Sequence, residues 1–151
     1  MFDETKCLHS GYTPENGGPG VMPIYQSTTF RFNSTDEIAA VFDDPTKAHI
    51  YSRFTNPTVD CVEKKIADLE GGIAAMCTTS GQAVSLLSCL NLANSGDRIL
   101  STSAIYGGTV NLFAVTMKKF GITVDFIDVD STNDEIQAAI KPNTKQFLEK
   151  H

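Results

Sequence analysis

The feature that most restricts the fold is an alternation of short apolar stretches with segments of helical periodicity, running from residue 57 onward. The predicted helices cover about residues 57–70, 83–93, 110–120 and 135–141, and the predicted strands cover 74–80, 98–102 and 122–129. Alternation at this spacing is typical of a sheet that is at least partly parallel, joined by right-handed crossovers and covered by helices. The sequence therefore predicts the α/β class.

The pattern inside each element indicates how deeply it is buried. The helix that starts at residue 57 carries one apolar face, Val59, Val62, Ile66 and Leu69, and should pack on that face. The stretch AVSLLSCLNLA is apolar nearly all round, so burial on most sides is expected, and AAMCTTS before it predicts a short buried strand. The tail QFLEKH is polar where the alternation calls for another apolar strand. We therefore expect an incomplete mostly parallel sheet with open edges.

Residues 1–33 differ from the rest, because Gly, Pro, Thr and Ser interrupt any period of 2 or 3.6. An extended arm is predicted there. A short helix follows, opened by Ser34 and Glu37 as a capping box. Asn56 is a natural N-cap with Pro57 at the first helical position, and Thr132 with Glu135 is predicted to cap the last helix. The chain thus divides into an N-terminal arm with a short helix, 1–56, and the start of a larger domain, 57–151.

Composition narrows the function classes. A net charge of −6 and a pI near 4.9, with no basic stripe, argue against nucleic acid or an anionic membrane as partner. The four cysteines form no CxxC pair, and the first ten residues lack the regions of a signal peptide, so a reducing cytoplasm is predicted. The three histidines are scattered without ligand spacing. No metal site is expected.

Two loops lie where ligands collect in open α/β sheets, at the carboxyl ends of strands. In the first, SGQ, the amides of Gly81 and Gln82 would point out of a helix N-terminus and suit a phosphate. In the second, IYGGT, the ring of Tyr106 could stack on a flat heterocycle. Each has a simpler interpretation: Gly81 could merely permit a tight turn, and Tyr106 could be an ordinary half-buried tyrosine.

The stretch YSRFTNPT is more specific. Arg53 offers a planar fork for phosphate and Tyr51 offers a hydroxyl on the same side of an extended backbone, with Ser52 facing the opposite way. This spacing suits one anion held by two donors. Alternatively, Tyr51 could belong to the core and Arg53 could pair with an acidic side chain.

Taken together, YSRFTNPTVDCVEKKIADLEGG, TTSGQAV and AIYGGT resemble the Cys/Met metabolism family of pyridoxal-phosphate (PLP) enzymes, most closely its O-acetylhomoserine sulfhydrylase branch. The resemblance implies a fold-type-I transferase large domain and PLP as cofactor. It also implies that Tyr51 and Arg53 clamp the cofactor phosphate of a neighbouring subunit of the same family across a dimer interface. Gly81 and Gln82 would bind phosphate through backbone amides, and Tyr106 would stack on the pyridine ring and could exchange a proton with the substrate amine.

The implied reaction is a γ-replacement on an amino-acid substrate, O-acetyl-L-homoserine plus sulfide giving L-homocysteine plus acetate. A methionine γ-lyase, cystathionine γ-lyase or cystathionine γ-synthase remains an alternative. None of the nine lysines lies in the family's SxTK context, which supplies the Schiff-base lysine, so the chain alone is expected to be inactive. A non-catalytic half that assembles with a second chain is therefore a further possibility. An unrelated dinucleotide-binding domain is disfavoured, because no GxGxxG follows a predicted strand.

Overall fold

The computed structural model describes residues 2–148. The chain divides into two compact units at Cys77/Thr78. The first unit contains α1 Asp3–His9, α2 Thr35–Asp43 and α3 Pro57–Glu70. The second contains the helices α4 Gly81–Leu92, α5 Gly107–Asn111, α6 Met117–Lys119 and α7 Asn133–Ala139 and the strands β1 Arg98–Thr102, β2 Thr123–Ile127 and β3 Thr144–Leu148. A π-helical turn, Leu112–Thr116, joins α5 to α6.

The sheet of the second unit is parallel throughout, with the strand order β2-β1-β3. Arg98, the first residue of the central strand, faces Thr123 on one side and Thr144 on the other. Helices α4 to α7 alternate with the strands along the chain. The predicted parallel α/β arrangement is confirmed.

The core of the second unit is one cluster of buried apolar side chains contributed by α4, β1 and the helix that follows β1. Its members are Cys89, Ala93, Ile99, Phe113, Met117 and Ile122. Half-buried Val124 and Phe126 of β2 and Leu148 of β3 pack against it. The cluster packs the C-terminal half of α4 against β1, and the predicted ligand loops lie at the opposite end of α4 and after β1.

The helices α2, α3 and α7 begin at the capping residues that the sequence predicts. Asn56 accepts a hydrogen bond from the Thr58 amide (2.9 Å), with Pro57 in the first turn of α3. Thr132 and Glu135 form a complete capping box on α7. At α2 the Ser34 hydroxyl accepts from the Glu37 amide (3.2 Å), but the Glu37 carboxylate accepts from the Asn33 amide (3.0 Å). The return contact is thus one residue earlier than in a capping box.

The predicted strand at 74–80 is wrong. Residues 73–80 form no strand, and the side chains of Ile73 and Met76 are exposed. The Cys77 amide donates instead to the Glu63 carboxylate (2.6 Å). Within residues 2–148 no strand lies alongside this stretch to pair with it. An apolar stretch cannot form a strand without a ladder partner.

The predicted burial of two helices is also wrong in part. On α3 the buried residues are Cys61 and Ala67, whereas Val59, Val62 and Ile66 of the predicted apolar face are exposed. The difference arises because α3 packs against α1 in the structure. The Lys6 ammonium donates to the Asp68 carbonyl, and the Lys65 ammonium donates to the Cys7 carbonyl. On α4 only Cys89 is fully buried, and Val84, Leu87 and Leu92 are exposed.

Two elements lie where none was predicted. Within the predicted extended arm, Asp3–His9 form α1, with acidic residues in its first turn and basic residues in its last, as the helix dipole favours. In the polar tail, Thr144–Leu148 form β3, whose burial alternates between intermediate and exposed. Polar residues suit this strand because it lies at the sheet edge. The last residues of the tail, 149–151, lie outside the described part.

Among the residues that the structure describes, none of the helices combines the length and the apolar character needed to cross a membrane.

Candidate functional site

The N-terminus of α4 offers unused hydrogen-bond donors. Ser80, in extended conformation, caps the helix by accepting from the Ala83 amide (3.1 Å), and its carbonyl accepts from the Val84 amide (3.1 Å). The amides of Gly81 and Gln82 have no protein acceptor within the described part of the chain. A side chain at Gly81 would meet only open space. An anion can therefore reach both amides. The prediction that they bind phosphate stays a prediction.

The Tyr106 ring lies close to the Gln82 side-chain carboxamide, where both approach Gly108. The Tyr106 carbonyl accepts from the Thr109 amide (2.8 Å) and the Val110 amide (3.0 Å), which fixes the backbone at the start of α5. The residue as a whole is 75% exposed. A Cβ atom on Gly108 would lie 2.5 Å from Tyr106 Cε1 and 2.6 Å from Gln82 Nε2. The predicted residues Gln82 and Tyr106 thus meet at Gly108, whose part in this contact the sequence reasoning missed.

Three buried polar side-chain atoms of the second unit lack a protein partner within the described residues. They are Gln82 Oε1 at the start of α4, Thr102 Oγ1 at the end of β1 and Gln146 Oε1 on β3. Such atoms are uncommon in proteins and are usually satisfied by water, an ion or a ligand. Thr102 was missed as well, although its place at the carboxyl end of a predicted strand is the position at which such sheets bind ligands.

A cavity of about 420 Å³ opens beside Tyr106. Its lining includes Ser85, Ser88 and Cys89 of α4 and Gln146 of β3. Burial raises the pKa of the Cys89 thiol, so this group stays protonated at neutral pH and acts as a small apolar side chain. The polar atoms of the cavity are therefore uncharged hydroxyl and carboxamide groups.

In the first unit, Tyr51 and Arg53 contact each other directly. The Arg53 guanidinium carbon lies 5.1 Å from the centroid of the Tyr51 ring and 5.5 Å from that of the Phe54 ring. The predicted extended backbone is wrong: Tyr51 begins a turn, because its carbonyl accepts from the Phe54 amide (2.9 Å) and the Thr55 amide (3.2 Å). The turn still brings the phenol and the guanidinium together, as a cation–π pair.

The structure tests the alternative roles of these two residues, Tyr51 as part of the core and Arg53 as the partner of an acidic side chain. Tyr51 is half-buried and pairs with Thr29 in an isolated antiparallel bridge, so it is not a core residue. Arg53 is exposed, and no salt bridge to an acidic side chain of residues 2–148 occupies it. The guanidinium keeps its donors available for an anion.

Ser52 and Asn56 fix this turn from the opposite side. The Ser52 amide donates to the Thr28 carbonyl (2.9 Å) and its hydroxyl donates to the Ser27 carbonyl. The buried Asn56 carboxamide donates to Ser52 Oγ (2.9 Å) and to the Tyr25 carbonyl (3.1 Å). The sequence showed Asn56 only as a helix cap, but it also orients the segment that presents Tyr51 and Arg53.

A parallel α/β unit with free amides at a helix N-terminus and an exposed tyrosine in the loop after β1 has the features that suit a phosphate group and a flat ring. The comparisons with known proteins specify the class further. Residues 4–150 match the family described as Cys/Met metabolism PLP-dependent enzyme, and the chain belongs to this family. The family predicted from the sequence is therefore confirmed.

The curated relatives are sulfur amino-acid enzymes. The chain is 41% identical to O-acetyl-L-homoserine sulfhydrylase from Corynebacterium glutamicum over 146 residues, which are 96% of this chain and 33% of that protein. It is 46% identical to homocysteine/cysteine synthase from Kluyveromyces lactis, covering 87% of this chain and 30% of that one. The chain thus spans about a third of the length of the curated relatives that it matches.

Solved structures give the same result for the fold. A Campylobacter jejuni protein assigned as an O-acetylhomoserine (thiol)-lyase, with N′-pyridoxyl-lysine-5′-monophosphate in its structure, superposes with a TM-score of 0.88 at 37% identity, covering 97% of this chain and 36% of that one. Cystathionine γ-lyase from Lactobacillus plantarum gives a TM-score of 0.83 at 33% identity, covering 99% and 36%. The predicted fold-type-I class is confirmed.

Proposed function

We propose that this chain provides part of the cofactor site of a PLP-dependent enzyme that replaces the acetate of O-acetyl-L-homoserine with sulfide. The observation that carries the proposal is the pair of free backbone amides, Gly81 and Gln82, together with the approach of the Gln82 side chain to the exposed Tyr106. The names of curated relatives support the substrate, since O-acetyl-L-homoserine sulfhydrylases and homocysteine synthases are among them. Methionine γ-lyase and cystathionine γ-lyase or γ-synthase activities remain the alternatives within the family.

The residues present fit a pyridoxal phosphate. Two amides at a helix N-terminus suit its phosphate, and the space in front of Gly81 is open. Tyr106 would stack on the pyridine ring and hold a proton for the substrate amine on its phenol oxygen. When bound, the cofactor supplies an electron sink for the substrate carbanion.

Tyr51 and Arg53 would hold the phosphate of a neighbouring subunit's cofactor. Their pairing supports this role, because the turn presents a free guanidinium fork next to a phenol hydroxyl. We infer that the chain alone binds cofactor without completing the reaction, since none of its lysines lies in an SxTK context. A complete subunit, or a second chain, would supply that lysine.

The sharpest test removes one amide of the helix N-terminus. Gly81→Pro deletes the N–H at the first helical position, where proline is tolerated and where the extended Ser80 suits a following proline. Gly81→Ala is the matched control, because it keeps the N–H and adds a methyl group in open space. Binding is followed by the fluorescence anisotropy of pyridoxamine 5′-phosphate, with pyridoxamine as the ligand that lacks phosphate.

We expect Gly81→Pro to weaken pyridoxamine 5′-phosphate binding about 10- to 100-fold, the usual effect of one hydrogen bond to a charged group. Gly81→Ala should bind within about twofold of the parent chain, since its methyl group contacts nothing. Equal binding by the proline variant, or equal affinity for pyridoxamine, would show that these amides do not bind phosphate.

The Tyr51–Arg53 assignment is tested in a complete subunit that carries this segment. Arg53→Ala should weaken cofactor binding by about 1.5 to 3 kcal/mol, through loss of a hydrogen bond to the phosphate. Arg31→Ala is the control, because Arg31 is also an exposed arginine of the first unit. Unchanged cofactor affinity in Arg53→Ala would remove Arg53 from the site.

A further inference from the structure

We propose that Gly108 is a positioning residue: by lacking a side chain, it allows the Tyr106 ring and the Gln82 carboxamide to meet beside the N-terminus of α4. The inference rests on the proposed function for its ligand, a phosphorylated pyridine, but its geometry can be tested without any ligand. Neither the family match nor the names of the relatives assigns a role to this residue.

Space, and not backbone freedom, is the reason for a glycine at position 108. Gly108 has no positive φ, so an alanine could adopt its backbone conformation. A Cβ atom there would lie 2.5 Å from Tyr106 Cε1, 3.2 Å from Tyr106 Cδ1 and 2.6 Å from Gln82 Nε2. Carbon atoms in proteins pack at about 3.5 to 4 Å, so either the ring or the carboxamide would have to move.

The adjacent glycine provides the contrast. A Cβ atom on Gly107 would meet nothing within 4 Å, and Gly107 also has no positive φ. The two glycines of IYGGT therefore differ in their surroundings, although the sequence treats them alike. Only the second one is in contact with the candidate site.

The contact at Gly108 matters because little else restrains the Tyr106 ring. The Tyr106 residue is 75% exposed, whereas its backbone is fixed by the hydrogen bonds of Thr109 and Val110 to the Tyr106 carbonyl. The Gln82 carboxamide has a buried, unpartnered Oε1, so it can rotate without losing a hydrogen bond to residues 2–148. A methyl group at 108 would therefore displace ring or amide at little cost to the fold and change where the ring lies over a bound ligand.

The test compares Gly108→Ala with Gly107→Ala in the whole chain by nuclear magnetic resonance. In the parent chain we expect nuclear Overhauser contacts of the Gly108 Hα protons with both the Tyr106 ring and the Gln82 side-chain amide. Gly107→Ala should keep the Tyr106–Gln82 contacts, and Gly108→Ala should lose them. Alanine is a better helix former than glycine, so neither substitution should disturb the helix that contains it. The amide resonances of Phe113 and Met117 in the core should therefore stay unchanged in both variants.

Ligand binding separates this proposal from the proposed function. Gly108→Ala should bind pyridoxamine 5′-phosphate about tenfold more weakly and inorganic phosphate with unchanged affinity, because the amides of Gly81 and Gln82 remain. Retained Tyr106–Gln82 contacts in Gly108→Ala would overturn the positioning role. If the contacts are lost as expected but the parent chain binds neither ligand, the positioning role stands and the proposed function fails.

Discussion

The two units of the chain are stabilised by different means. The second unit buries a continuous apolar cluster, in which Ile99, Phe113 and Met117 are almost completely inaccessible. The first unit buries few apolar side chains and leaves several large ones exposed: Phe2, Leu8, Val21, Ile24, Phe42 and Phe54. Its buried polar residue Asn56 instead links three segments by hydrogen bonds.

The difference indicates which kind of substitution each unit tolerates. Burial of apolar area dominates the second unit, so the loss of side-chain volume should cost most there. In the first unit the shape depends on a small number of polar contacts, whose loss leaves carbonyls and amides unpaired. The turn that presents Tyr51 and Arg53 depends on such contacts, whereas Gly81 and Gln82 lie on an element held by packing.

The largest expected effect is that of Phe113→Ala. Phe113 is 2% exposed at the centre of the cluster, so truncation removes apolar contacts and leaves a cavity. We expect the free energy of unfolding of the second unit to fall by about 3 to 5 kcal/mol. Urea unfolding followed by circular dichroism measures the loss, and amide hydrogen exchange assigns it to a unit.

Phe42→Ala is the control from the first unit, because Phe42 is 67% exposed on α2. Its effect should stay within about 0.5 kcal/mol, as for most surface substitutions. Similar losses for the two phenylalanines would contradict the contrast between a packed unit and one held by polar contacts.

A smaller but more local effect is expected from Asn56→Ala. The substitution removes the cap of α3 and leaves Ser52 Oγ and the Tyr25 carbonyl without their donor. We expect a loss of about 2 kcal/mol, restricted to the first unit and seen as faster hydrogen exchange of the α3 amides.

Asn56→Asp separates the two roles of this side chain. Aspartate keeps the acceptor that caps α3, but it cannot donate to Ser52 or to Tyr25. The helix should therefore stay capped while the turn at Tyr51 to Thr55 loosens. Wild-type exchange rates in that turn would show that the donor contacts of Asn56 do not hold it.

The sequence predicted best those parts of the fold that depend on neighbouring residues. The caps at Asn56 and Thr132 and the strand 98–102 follow from local chemistry, and the structure confirms them. Long-range packing accounts for the failures. Whether 74–80 forms a strand depends on a pairing partner, and the exposed face of α3 depends on α1, which periodicity does not reveal.

The same distinction applies to the candidate site. Tyr106 was predicted from its loop position after β1, and the structure places it there. Gly81 and Gln82 were predicted to follow a strand at 74–80 that the structure does not contain, so only the helix N-terminus of that prediction remains. The structure brings the side chains of Gln82 and Tyr106 together at Gly108. The role of Gly108 could not be predicted, because a glycine pair has the same sequence signal whether a neighbour approaches one member or neither. Thr102 was missed because a hydroxyl at a strand end is indistinguishable from any other until its burial is known.

The smallest expected effects concern two aspartates, one in each unit. In the second unit Asp125 accepts from Arg98 Nε (2.7 Å) and Nη2 (2.6 Å) and from Lys141 Nζ (3.3 Å). The Arg98 hydrogen bonds, followed by the Lys141 contact, lower the pKa of the Asp125 carboxyl. In the first unit the pKa of Asp68 is also lowered, chiefly by the Ser10 hydroxyl, which donates to it (2.6 Å).

A lowered pKa in the folded state means that the carboxylate stabilises the fold above its unfolded pKa, near pH 4, and that this contribution is lost as the pH falls through the folded pKa. Asp125→Asn should therefore be less stable than the parent chain at pH 7, and the difference should shrink below about pH 4. Asp68→Asn should show the same trend with a smaller amplitude, because the Asp68 side chain is 45% exposed and that of Asp125 only 28%. Unfolding curves from pH 7 to pH 2 measure both amplitudes. A larger pH-dependent loss for Asp68→Asn than for Asp125→Asn would mean that the Asp68 contacts stabilise the first unit more than the Asp125 ion pairs stabilise the second.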